Sequence, residues 1–238
     1  MPDTEHRLEF HESLEAIRND VVRLGALTTE TIGRGTAALL EKDLHAAQSL
    51  IDDDDMLDAL SLQIEEDCFQ LLALQNPMAG DLRFVICSIR LANELERSAD
   101  LMVNVCKAAR RLYDVEFDPT LRGLTQSMAN EAIRLTTAAI DSYVDQDSSL
   151  AAALDDMDSR LDDLQVKFVE AIITSNHEEH SELRSAVQMA LIARYYERIG
   201  DHAVNIGERV YYMVTGWLPE HTGAARLELR QRSRPDAG

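Results

Sequence analysis

Apolar residues recur along this chain at three- and four-residue spacing over long stretches that few residues interrupt. From about His6 to Leu40, Leu14, Ile17, Val21 and Leu24 fall on one helical face. Lys42-Asp43 breaks the pattern, and a second segment from about Leu44 to Leu74 places Leu50, Leu57, Ile64 and Leu71 on one side. Asn76-Pro77 stops it, with Pro77 suited to the first position of the next helix. The third segment runs to about Tyr113. Asp118-Pro119 then reads as an N-cap followed by an N1 proline, opening a fourth. Further breaks near Gln146 and from Asn176 to Glu179 give a fifth and a sixth, ending at Gly216. Beyond Pro219 the chain has four arginines and little to bury, so residues 217–238 are expected to be a disordered tail.

The pattern repeats. Shifted by 104 residues, Asp43 meets Asp147, Leu50 meets Leu154, Asp54 meets Asp158 and Asp58 meets Asp162. Past the next turn the shift becomes 101: Leu82-Arg83 meets Leu183-Arg184, Glu96-Arg97 meets Glu197-Arg198, Asp100 meets Asp201 and Asn104 meets Asn205. The change falls in a turn, where length differences are tolerated. Two units are too few for a solenoid. The expected fold is all-α, six helices in two tandem antiparallel three-helix bundles, residues 1–115 and 116–216.

Composition agrees. Apolar residues make up 45% and aromatics only 5%, with ten Gly and five Pro, which favours long helices. The formal net charge is −20, a field that repels nucleic acid and attracts cations and basic protein surfaces. The amino terminus lacks an apolar signal-peptide core, and no run suffices for a membrane span, so a cytoplasmic location is expected. Cys68, Cys87 and Cys106 form no CxxC pair and read as buried free thiols.

The chemistry lies in acids on apolar stripes. The second helix carries Ala47, Leu50, Asp54, Leu57, Ser61, Ile64, Cys68 and Leu71; the fifth carries Ala151, Leu154, Asp158, Leu161, Gln165, Phe168 and Ile172. On the third, Leu82, Ile86, Ile89, Asn93, Glu96, Asp100 and Val103 make one stripe. Leu91, Leu95, Ser98 and Met102 make another, so the inward phase is not unique. The sixth has Leu183, Val187, Ala190, Arg194, Glu197, Asp201 and Val204. Four acid-x-x-x-Asp pairs result: Asp54 with Asp58, Glu96 with Asp100, Asp158 with Asp162, and Glu197 with Asp201. Each pair shares a helix face at about 5–6 Å between Cβ atoms. Antiparallel hairpins turning near Pro77 and Glu179 bring two pairs to about equal height in each half. Four converging carboxylates repel one another unless a multivalent cation joins them, and an all-oxygen set suits Mg²⁺, Ca²⁺, Mn²⁺ or iron. The alternative is a solvated acidic face that binds basic partners without metal.

Arg194-Tyr-Tyr-Glu197-Arg-Ile-Gly-Asp201-His-Ala-Val-Asn205-Ile closely resembles the second signature of PhoU proteins, and Asn93-Glu-Leu-Glu96-Arg-Ser-Ala-Asp100, preceded by Asp81-Leu-Arg83, resembles the first. The likeness covers residues 6–216. It implies metal clusters (iron, Zn, Mn or Mg) on the paired acids and a frequent homodimer. It also implies negative regulation of a phosphate-sensing two-component system and of the phosphate ABC importer. The implied partners are a sensor histidine kinase and the importer's ATPase, and any membrane association runs through them. The first signature departs from the family pattern at Ser98-Ala99, usually Ile-Gly, and has Leu101 where the second half has His202.

Asn104 and Asn205 could complete a coordination shell or make helix-to-helix hydrogen bonds. His202 diverges by about 100° from Asp201 around the helix. Arg97 and Arg198 fit either contact with phosphate or a partner, or an ion pair restraining Glu96 or Glu197. No histidine follows a Glu by three residues, which argues against a carboxylate di-iron enzyme. No nucleophile–base set or phosphate loop is apparent, so catalysis is not expected.

Overall fold

The computed structural model describes residues 2–175 and 180–217. The six helices are α1 (Pro2–Glu41), α2 (Leu44–Gln75), α3 (Gly80–Arg111), α4 (Pro119–Asp145), α5 (Ser148–Ser175) and α6 (His180–Thr215). The Asn176-to-Glu179 turn and the tail beyond Trp217 lie outside the described residues.

Local chemistry sets most boundaries. Asp43 accepts from the amides of His45 and Ala46 at 3.0 and 2.9 Å, and its repeat equivalent Asp147 does the same for Ser149 and Leu150 at 2.9 and 3.1 Å. Lys42 and Gln146, the residues just before, both adopt positive φ, at 58° and 51°. Asp118 accepts from the amide of Thr120 at 2.8 Å with Pro119 at the first helical position. Pro77 does not open α3, contrary to expectation. Asn76 ends α2 in the left-handed conformation, Ala79 also takes positive φ, and α3 begins at Gly80.

α1, α2 and α3 pack against one another, as do α4, α5 and α6, and the two sets join through α3 on α6 and α1 on α4. Helices α2 and α5 therefore occupy opposite flanks. One continuous core runs through both sets, from Ile17 and Val21 in α1 to Ile206 and Val210 in α6. Two buried tyrosines tie it diagonally. Tyr196 of α6 reaches Thr36 of α1 at 2.6 Å, and Tyr143 of α4 reaches Ser88 of α3 at 3.0 Å. Thr36 spends its proton on the Ile32 carbonyl and Ser88 on that of Phe84, so each tyrosine donates. Burial raises both phenols above their ordinary range, which keeps that proton in place.

All three cysteines are buried free thiols, as expected, and burial pushes Cys68 up to about 12 and Cys106 to about 11. No described helix is long and apolar enough to cross a membrane.

Candidate functional site

The inward stripes of α2 and α5 are as the sequence predicts: Ala47, Leu50, Leu57, Ile64, Cys68 and Leu71 are buried, as are Ala151, Leu154, Leu161, Phe168 and Ile172. The acid stripes of α3 and α6 do not point inward. Leu82, Ile86, Asn93 and Asp100 are exposed, while Leu91, Leu95, Ser98 and Met102 are buried. On α6, Leu183, Val187, Arg194 and Asp201 are exposed. The cause is packing. α3 touches α1, α2 and α6, and α6 touches α3, α4 and α5, so each helix gives its broad apolar sector to three neighbours. The acids fall in the remaining sector, at the rim of each hairpin.

Each rim gathers its acids as an electrostatic group. In the first half, burial and then the charges of Asp58 and Asp100 push the Asp54 carboxyl up to about 6. Glu96 is raised by burial, then by Asp100, Asp58 and Asp54; Asp58 is raised by burial, then by Asp100 and Asp55. In the second half Asp158 is only 7% exposed. Burial, followed by Asp162 and Asp201, pushes it up to about 7. Glu197 is half-buried and paired with Arg194.

Sequence reasoning missed Glu131 of α4, which is buried, bonded by Arg134, within 3.5 Å of Arg160, and adds to the field on Asp158. Its repeat equivalent is Leu27, so the duplication gave no signal for it.

The halves differ for a visible reason. A Cβ on Gly200 would lie 2.2 Å from Asp158 Oδ1 and 2.7 Å from Leu161 Cδ2, and one on Gly207 would lie 2.7 Å from the Ala151 carbonyl oxygen. These glycines let α5 and α6 close on each other and bury Asp158. The first half has Ala99 and Cys106 at the equivalent positions, and Asp54 stays only half-buried.

Fit to a cation rests on orphan atoms. Asp158 Oδ1 and Glu197 Oε2 are buried without a hydrogen-bond partner, the condition a hard cation relieves. Among the described residues no three acid, His or Cys side chains are already gathered as a ligand set. Ligation therefore requires an exposed member such as Asp162 or Asp201 to turn inward. Both asparagines are bonded through their amide NH2, which leaves each Oδ1 free. Asn104 donates to the Asp100 carbonyl at 3.0 Å, and Asn205 donates to Glu94 Oε2 at 3.2 Å across the α3–α6 contact. His202 Nδ1 meets the same Glu94 oxygen at 2.6 Å. Burial alone would raise Glu94, but these bonds outweigh it and hold the carboxyl below its usual range. His202 thus faces the other bundle, not the acids of its own.

The model of the PhoU domain matches twice, at residues 21–109 and 125–210. The chain belongs to the PhoU family. It is 36% identical over 214 residues to phosphate-specific transport system accessory protein PhoU homolog 1 of Mycobacterium tuberculosis, covering 90% of this chain and 96% of that one. It is 30% identical to the PhoU homolog of Rhizobium meliloti, covering 89% of each chain. The crystal structure of PhoU from Pseudomonas aeruginosa superposes with a TM-score of 0.81 at 27% identity, covering 87% of this chain and all of that one. The phosphate transport system regulatory protein PhoU from Streptococcus pneumoniae gives 0.79, also at 27%, over 88% and 98%. The two matches of the PhoU domain span the same halves as the internal repeat.

Proposed function

We propose that this chain is a cytoplasmic accessory regulator of phosphate uptake that restrains both the phosphate ABC importer and the phosphate-responsive two-component system. The single observation that carries this reading is the near full-length match to proteins named phosphate-specific transport system accessory proteins, with the acids of both signatures present. Its partners are the importer's ATPase and the sensor histidine kinase, and it acts as a homodimer built from repeats at 1–115 and 116–216. Deleting the gene should leave phosphate-starvation genes expressed in phosphate-rich medium, read by transcript levels. Normal repression in the deletion strain would reject the regulatory role.

Within that role, each rim holds a divalent or trivalent cation (iron, Zn, Mn or Mg) on its four acids. The orphan oxygens of Asp158 and Glu197 support this for the second half. Elemental analysis should find metal in the purified protein, reduced by Asp201→Asn in the second half only and by Asp100→Asn in the first only. A second reading, an acidic adaptor that works without metal, is favoured by the absence of a gathered ligand set among the described residues. Purified protein that holds no metal, with or without either substitution, would decide for it.

A further inference from the structure

Four exposed apolar positions on the first hairpin recur on the second at the repeat spacing. Leu62 and Phe69 of α2 correspond to Val166 and Ile173 of α5, and Leu82 and Ile86 of α3 correspond to Leu183 and Val187 of α6. All eight side chains are 36 to 65% exposed. Scattered apolar residues on a surface need no explanation, but the same positions exposed in both copies do.

They are also aligned with the acids. On α2, Asp58, Leu62, Glu65 and Phe69 fall at steps of four, three and four, which is one helical face. On α3, Leu82 and Ile86 lead along the same line to Asn93, Glu96 and Asp100. About the turn between α2 and α3, Phe69 stands level with Ile86. Each hairpin therefore presents a strip that is apolar near its turn and acidic about three turns further along, some 27 Å in all at 1.5 Å per residue.

We propose that each strip docks one basic amphipathic helix of a partner protein. Its apolar side chains would sit on the Phe69–Leu82–Ile86 end, or the equivalent end of the second hairpin, and its Lys and Arg side chains would lie over the acids, with Leu62 between the two. Charge selects this occupant. The net charge of −20 favours a basic partner and works against a second copy of the chain or a lipid surface of anionic phosphates. Strips of this length match an amphipathic helix lying on a groove, read through anchors at i, i+3, i+4 and i+7. The inference rests on the reading that the chain acts through partners, and a cation held on the rim acids would compete with the Lys and Arg side chains, so the strips are tested without metal.

The test uses the full-length, chelator-treated protein and a labelled 20-residue peptide with Leu and Ile at i, i+3, i+4 and i+7 of one half and Lys and Arg in the other. Fluorescence anisotropy and calorimetry should show two peptides per chain, weakened by added salt. Phe69→Ser with Ile86→Ser should leave one. Adding Ile173→Ser and Val187→Ser should weaken the second by about tenfold or more, the scale for removing central apolar anchors. Unchanged melting temperatures would show that the fold is intact. No binding, equal binding of a scrambled peptide of the same composition, or wild-type affinity in the fourfold variant would each overturn the proposal. So would self-association of the wild type that these substitutions abolish. Failure here with phosphate-starvation genes derepressed in the deletion strain would reject the strip alone, whereas normal repression in that strain would reject the regulatory reading.

Discussion

Asp158→Asn should stabilise the metal-free protein by about 2 kcal/mol near pH 8 and do nothing near pH 4. The carboxyl titrates at about 7 in the folded chain against an ordinary value of 3.8, because it is buried and then faces Asp162 and Asp201. A raised carboxyl means that between these values the folded state holds a proton the unfolded state has lost. Stability contributed at this site therefore falls as pH rises from about 4 to 7, and the full cost of the buried charge is present above 7. Asparagine keeps the shape and cannot ionise. Metal reverses the sign. Wild-type protein with Mn²⁺, iron or Zn²⁺ at a hundredfold excess over Kd should gain about 2.7 kcal/mol per site, and the Asn variant should gain none in its second half. Unfolding of both proteins with chelator and with each metal, from pH 4 to 8, reads the two effects together. A wild-type–variant difference independent of pH would sink the buried-charge account. Superimposable wild-type curves with and without every metal would sink the cation site.

Gly207→Ala should cost about 2 kcal/mol, although alanine is the better helix former by about 1 kcal/mol. The added methyl would lie 2.5 Å from Leu154 Cδ1 and 2.7 Å from the Ala151 carbonyl oxygen, and a backbone atom within α5 cannot rotate away. Gly200→Ala should cost less, since its neighbours are the side chains of Asp158 and Leu161. It should also push Asp158 outward and flatten the pH dependence just described. Gly123→Ala supplies the contrast: nothing lies within 4 Å of its Cβ, so it should be neutral or stabilising by up to about 1 kcal/mol. Denaturant unfolding of the three variants checks the order, and a Gly207→Ala protein as stable as wild type would mean that α5 and α6 do not approach as described.

Most of the fold was legible because the helices are punctuated by their own chemistry. Asp43, Asp118 and Gly216 each mark a boundary through a capping preference that depends on local sequence alone. The lines of α2 and α5 were legible because those helices lie on the flanks and have one narrow face to bury. The phase of α3 and α6 was not. Leu82, Ile86 and Ile89 look like a core stripe by spacing, and only the three neighbours around α3 show that Leu91, Leu95 and Met102 fill the interior. The acid pairs were found by their repetition. Glu131 and the Glu94–His202–Asn205 bridge were not, since each exists once and joins helices far apart in sequence.

The crossing of Tyr196 to Thr36 and of Tyr143 to Ser88 means that the two copies of the repeat have lost their independence. A chain cut in the connecting stretch at 112–118 would not yield two smaller proteins. Each fragment would be left with a wet wall where α1 and α3, or α4 and α6, had been interior, and with a hydroxyl pair broken at each diagonal. Duplication here produced a single unit that folds as a whole through one shared interior while carrying its repeated acidic rims apart, on opposite flanks.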